Sequence, residues 1–149
     1  MSVRTVPPTP QAVVKVSAKQ LRAFASQTTQ AQRFVASYRG PEVKVSLESL
    51  DEAFRRWQLE DRKQFTVRQV VDILGAYLGS RMAADLNMEW VVVTDEDGTS
   101  YAVRSKKYEV ISFPFASVTK RIDRGEHDFM SAVYYAVAHS IDSGQYKTR

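Results

Sequence analysis

The feature that most constrains this chain is the change of apolar period near Met88. Upstream, apolar residues recur three and four positions apart; beyond it, Trp90-Val91-Val92-Val93-Thr94 is a run of aromatic and β-branched residues. An acidic turn, Asp95-Glu96-Asp97-Gly98, follows, and Tyr101-Ala102-Val103-Arg104 returns. Two such runs around a glycine-bearing turn predict an antiparallel hairpin, because glycine supplies the positive φ that a tight connection demands. With Asp97-Gly98 at its centre, Thr94 faces Tyr101 and Val92 faces Val103. Both faces of the Trp90–Val93 run are apolar, so helices are expected on one face and a further element over part of the other. Tyr108–Phe113 is expected as a third strand.

Helices are expected before and after this ribbon along the chain. Ser17 with Gln20 forms a capping pattern, and Leu21, Phe24, Thr28, Ala31, Val35 and Tyr38 define one helix that Gly40-Pro41 ends. Ser49 with Glu52 repeats the pattern before a second helix that buries Leu47, Leu50, Phe54 and Trp57 and turns Asp51, Arg55 and Arg56 elsewhere. Thr66 with Gln69 starts a third, with Val67, Val70, Val71, Leu74, Leu78 and Met82 inward. Gly75, Gly79 and Ala83 line a groove beside that face, where another backbone is expected to approach closely. After the ribbon, Pro114 opens a helix that Gly125 closes, and Asp128 caps a last helix burying Phe129, Val133, Val137 and Ile141.

Three N-terminal helices, a hairpin with a third strand and two C-terminal helices make a segregated α+β pattern. At 149 residues, with 44% hydrophobic and 26% charged side chains, the chain suits one core. The expected organisation is an extended or disordered arm over residues 1–16, with Val13, Val14 and Val16 able to pair at a sheet edge, a single domain over 17–143 and a frayed tail over 144–149. There is no cysteine, which excludes disulfides, thiolate nucleophiles and cysteine metal motifs and fits a reducing cytoplasm. The longest apolar run, Ala132–Ala138, is far short of the ~20 residues of a membrane span. The first 47 residues hold seven basic side chains against the single acid Glu42, although the net charge is only +4.

Trp90-Val91, Asp95-Glu96 with Gly98, Ala102-Val103-Arg104, Phe113-Pro114, Val118 and Lys120-Arg121-Ile122 together resemble a bacterial family, domain of unknown function 3806. The likeness extends from about Thr66 to Val137. It implies a shared fold and a bacterial source, and it transfers no catalytic residue.

No catalytic constellation, cofactor fingerprint or metal set emerges. Asp95-Glu96-Asp97 is similar to the start of a calcium loop, but Arg104 stands where that loop needs its glutamate. His127 and His139 are not spaced as zinc ligands. Ser131, Tyr135, His139 and Asp142 share one face of the last helix, a convex polar stripe without oxyanion donors. What packing leaves unexplained is Lys120, Arg121 and Arg124, expected to project from the core and to be joined by Arg104, Lys106 and Lys107 in a basic, partner-binding patch. These residues point to a non-enzymatic, cytoplasmic protein-binding module of regulatory or immunity type. The alternatives are nonspecific nucleic-acid binding through the basic first helix and the Lys120 ridge, and an enzyme working in a cleft between sheet and helices.

Overall fold

The computed structural model describes residues 3–4, 12–60, 64–143 and 148. The elements are β1 (Val3–Arg4), β2 (Ala12–Lys15), α1 (Ala18–Thr29), α2 (Ala31–Arg39), α3 (Leu47–Leu59), α4 (Val67–Asp85), β3 (Met88–Asp95), β4 (Gly98–Ser105), β5 (Ile111–Ser112), α5 (Pro114–Arg124) and α6 (Met130–Asp142). They form a mixed α+β domain around one antiparallel sheet of order β1-β5-β4-β3-β2. Apart from Val3–Arg4 and residues 12–16, the expected N-terminal arm lies outside the described residues, as does the expected tail apart from Thr148.

The hairpin forms where the periodicity changes, two positions away from the expected register. Asp95 pairs with Gly98, Thr94 with Thr99 and Val92 with Tyr101. The cause is local: the Asp95 carboxylate accepts a hydrogen bond from the Asp97 backbone N–H at 2.8 Å, and Gly98 carries φ 121° immediately after the loop. The loop therefore closes on Glu96-Asp97. A shift of two keeps every side chain on its intended face. β2 pairs with β3 along its whole length, Val14 opposite Val92. The third strand is shorter than expected, because the Ser105 hydroxyl accepts from the amides of Lys107 and Tyr108 and bends the chain before Ile111.

The expected first helix is two helices. Gln30 separates α1 from α2, and the Thr28 and Thr29 hydroxyls donate back to the Phe24 and Ser26 carbonyls at 2.9 and 2.7 Å, a competition with the helical ladder that bends helices. α3 is capped by Ser46, with Ser49 reciprocating at the third helical position, so the start lies three residues before the expected Ser49. Thr66 and Gln69 form the full capping box of α4 as expected, and α5 starts at Pro114 and ends in left-handed Gly125.

The principal core lies between the helices and one sheet face and centres on Phe34, Leu50, Phe54, Trp57, Phe65, Leu74, Leu78, Val103, Val118, Phe129 and Met130. Val91, Val93, Ala102 and Ile111 form a smaller cluster on the other face with Val13 and Phe113. The groove of small residues on α4 receives rings rather than a backbone. A Cβ added at Gly75 would lie 2.3 Å from Phe115 Cδ1, and one at Gly79 would lie 2.2 Å from Trp90 Cη2. Both glycines let α5 and β3 press aromatic side chains into the helix surface.

Candidate functional site

Those two rings begin an aromatic assembly. Phe24 of α1 sits 4.3 Å from Trp90, 5.4 Å from Phe115 and 5.2 Å from Tyr101, the last in an edge-to-face contact. Tyr101 and Phe115 meet at 6.3 Å. Offset and edge-to-face pairs are the favoured aromatic geometries, so the group sets rigidly. Phe24 is 4% exposed, whereas Tyr101 at the outer end is 39% exposed.

Tyr101 and Phe115 face a cleft of about 490 Å³ between α1, the first turns of α4, β4 and α5. Such a volume suits a small ligand or one or two side chains of a larger one. Polar groups edge it: Gln20 and Gln27 from α1, Arg68 and Asp72 from α4, and Ser100 from β4. Gln20 departs from the capping role that the sequence suggests. Its backbone N–H donates to Ser17, but its side-chain oxygen accepts from the Tyr101 hydroxyl at 3.1 Å and fixes the tyrosine in the wall. Arg68 and Asp72 stand one turn apart at 3.9 Å, the arginine side chain 91% exposed and the carboxylate 36%. A pair this long and this exposed contributes little.

The expected basic patch is not one surface. Lys120 is exposed, but Arg121, expected to project outward, is buried at 9%. It flanks the inward stripe of Val118 and Ile122, so its guanidinium lies over the Phe129 ring at 5.6 Å. Its Nε is 3.2 Å from Glu126 without the alignment of a hydrogen bond. Glu126 also reaches Arg124 at 3.8 Å and draws off the charge of both arginines. Arg104 is half-buried, donates to Glu89 at 3.2 Å and pairs in register with Ile111, on the sheet face opposite α5. Strand alternation thus sets it apart from the α5 cations. The Lys106 amide is tied to the Asn87 carbonyl, and the Lys107 ammonium lies over the Tyr108 ring at 5.2 Å.

A second set of charged groups, one of them buried, lies where α6 docks. Asp51, expected to face away from the core, is 8% exposed. It accepts from the amides of Met130 and Ser131 at 2.8 and 3.1 Å and from the Ser131 hydroxyl at 2.8 Å. It thus supplies from α3 the cap expected from Asp128, because the N-cap residue Phe129 has no side chain able to do so. Burial pushes the Asp51 carboxyl above its ordinary value, against the pull of these donors. Asp85 accepts from Arg81 at 2.9 Å and from the Tyr134 hydroxyl at 2.8 Å, and the arginine foremost holds it below the usual carboxylate range. The donors that Asp51 and Asp85 meet come from α6 or, for Asp85, also from its own helix, which marks both as packing residues.

Among the described residues no group of three or more histidine, aspartate or glutamate side chains gathers as metal ligands, and no helix is long and apolar enough to cross a membrane. The family model for the Domain of unknown function (DUF3806) matches residues 46–134, more than half of the chain. The chain belongs to this family. The match takes in α3 to the start of α6 and hence every wall of the cleft except α1. No curated protein matches the chain. A crystal structure from Bacteroides thetaiotaomicron VPI-5482 is similar at 11% sequence identity with a TM-score of 0.64; the match covers 87% of this chain and 48% of that one. That likeness is one of fold, and this chain spans about half the length of the similar protein.

The aromatic cleft escaped the sequence reading. Tyr101 was legible only as a strand residue; the small residues of α4 at a four-residue spacing were the one signal of close packing there.

Proposed function

We propose that this chain is a non-enzymatic protein-binding module of the bacterial cytoplasm, of regulatory or immunity type, and that it takes its partner in the cleft rather than on the Lys120 ridge. The observation that carries this reading is the exposed Tyr101 ring, held in place by Gln20 and backed by Phe24 and Phe115. A pre-set aromatic surface beside a few polar groups is how a protein accepts an anchoring side chain at low entropic cost. The chain's lack of cysteine supports the assignment to a reducing compartment. The burial of Arg121 and the pairing of Arg124 and Arg104 argue against the ridge as the principal contact.

Selection of peptides from a random display library on the full chain tests the reading. Enriched peptides are expected to shift the NMR signals of Tyr101, Ala116 and Gln27 and to lose about tenfold or more in affinity for the Tyr101→Ala variant, as truncation of an anchoring aromatic does. Peptides that bind that variant unchanged, or that map to the Lys120 face, would overturn it.

A further inference from the structure

Resting on that cleft reading, we infer that the anchoring group is cationic, specifically the guanidinium of an arginine in the partner segment. The two charges on the rim are not equivalent. Arg68 extends into solvent with its side chain 91% exposed, whereas the Asp72 carboxylate is 36% exposed and is the charge fixed in the wall. An apolar anchor would strip water from Asp72, Gln27 and Ser100 and give nothing back, a loss that unpartnered polar groups make costly. An anionic anchor would meet the wall carboxylate head-on and find its counter-ion only on the solvent-exposed Arg68. A cation meets opposite charge at Asp72 and the aromatic rings of Tyr101 and Phe115 that line the cleft. Guanidinium fits better than ammonium because its plane stacks on a ring while its edge forks onto a carboxylate.

The sign of the Arg68 effect makes this decidable. Arg68 competes with an incoming cation for Asp72, so Arg68→Ala should tighten an arginine ligand by about two- to threefold, in keeping with the small worth of an exposed pair. The same change would weaken an anionic ligand.

The experiment titrates the full chain with five-residue peptides Gly-Gly-Xaa-Gly-Gly, Xaa being arginine, lysine, norleucine, phenylalanine or glutamate, and follows the Tyr101 and Ala116 signals by NMR at low and moderate salt. The arginine peptide is expected to bind about tenfold more tightly than norleucine. Its affinity should fall as salt rises, and the preference should vanish in Asp72→Asn, a rim substitution compatible with the fold. Equal binding of norleucine or glutamate, an unchanged preference in Asp72→Asn, or weakening by Arg68→Ala would overturn the inference while leaving the cleft as a binding site. If no peptide moves a cleft signal, the reading on which it rests falls as well.

Discussion

The two flanks of α4 are fastened by different physics. On the flank that builds the cleft, contact is a matter of shape: Gly75 and Gly79 leave room for Phe115 and Trp90. On the flank that receives α6, polar contacts join the apolar packing of Met130, Val133 and Val137: Asp85 holds the Tyr134 hydroxyl, Asp51 reaches across from α3 to cap the helix, and Glu48 lies 3.4 Å from the Tyr135 hydroxyl. Three aspartates illustrate the difference. Asp51 receives three donors of α6 on its two oxygens, and Asp85 receives Arg81 and the Tyr134 hydroxyl on one. Asp72 has a 3.9 Å contact with a solvent-borne arginine. A carboxylate whose donors come from its own fold is spent on packing, and one held this loosely is open to a ligand.

The largest effect should come from Asp51→Ala. It leaves the Met130 and Ser131 amides and the Ser131 hydroxyl without their acceptor, and a lost cap together with buried unmet donors costs about 3 kcal/mol in chemical denaturation. A loss below ~1 kcal/mol would show that the apolar face of α6 docks without the cap. Gly79→Ala tests the shape-fastened flank. The added methyl meets a Trp90 ring already packed on Phe24, so overpacking should outweigh the gain in helix propensity and leave the protein about 2 kcal/mol less stable. If instead the variant is more stable, the flank is looser than its geometry implies.

Acid separates Asp51 and Asp85 by sign. The carboxyl of Asp85 is depressed in the fold, so it adds stability above the ordinary carboxylate value that is lost as pH falls through its lower, folded value. Asp51 is raised, so the native state binds its proton more readily, and its contribution declines as pH rises from the ordinary value through the folded one. Denaturation midpoints of Asp85→Asn and Asp51→Asn against the parent across mildly acidic pH should therefore diverge in opposite directions; parallel curves would contradict the assignment. The smallest effect is expected from Asp72→Asn, which should change stability by less than about 0.5 kcal/mol because its pair is exposed and long. A larger loss would mean that Asp72, too, is spent on the fold.

Much of the fold was legible locally. The hairpin's position, the Thr66 cap, the Pro114 start and the Gly125 stop all rest on interactions within a few residues, and the family match over residues 46–134 overlaps the resemblance seen from about Thr66 to Val137. The register missed by two because an aspartate side chain competed with the backbone for the turn. The first helix broke for a similar reason, two threonine hydroxyls turning back on their own carbonyls.

The site was not legible, because charge and exposure are settled between elements. Arg121 was expected to project away from the core, yet it flanks the inward stripe, and the chain beyond Gly125, folding back with Glu126 and Phe129, encloses it. Asp51 reads as a surface residue of an amphipathic helix until α6, some 80 residues on, presents its bare N-terminus to it. Tyr101 and Gln20 lie 81 positions apart and meet in a 3.1 Å hydrogen bond. The sequence by itself determined which segments are helix and strand and which faces are apolar, since those follow from spacing and capping along the chain. Only the tertiary structure decided which charges are consumed and which aromatic surface stays open, because burial and partnership depend on residues that share no neighbourhood until the chain has folded.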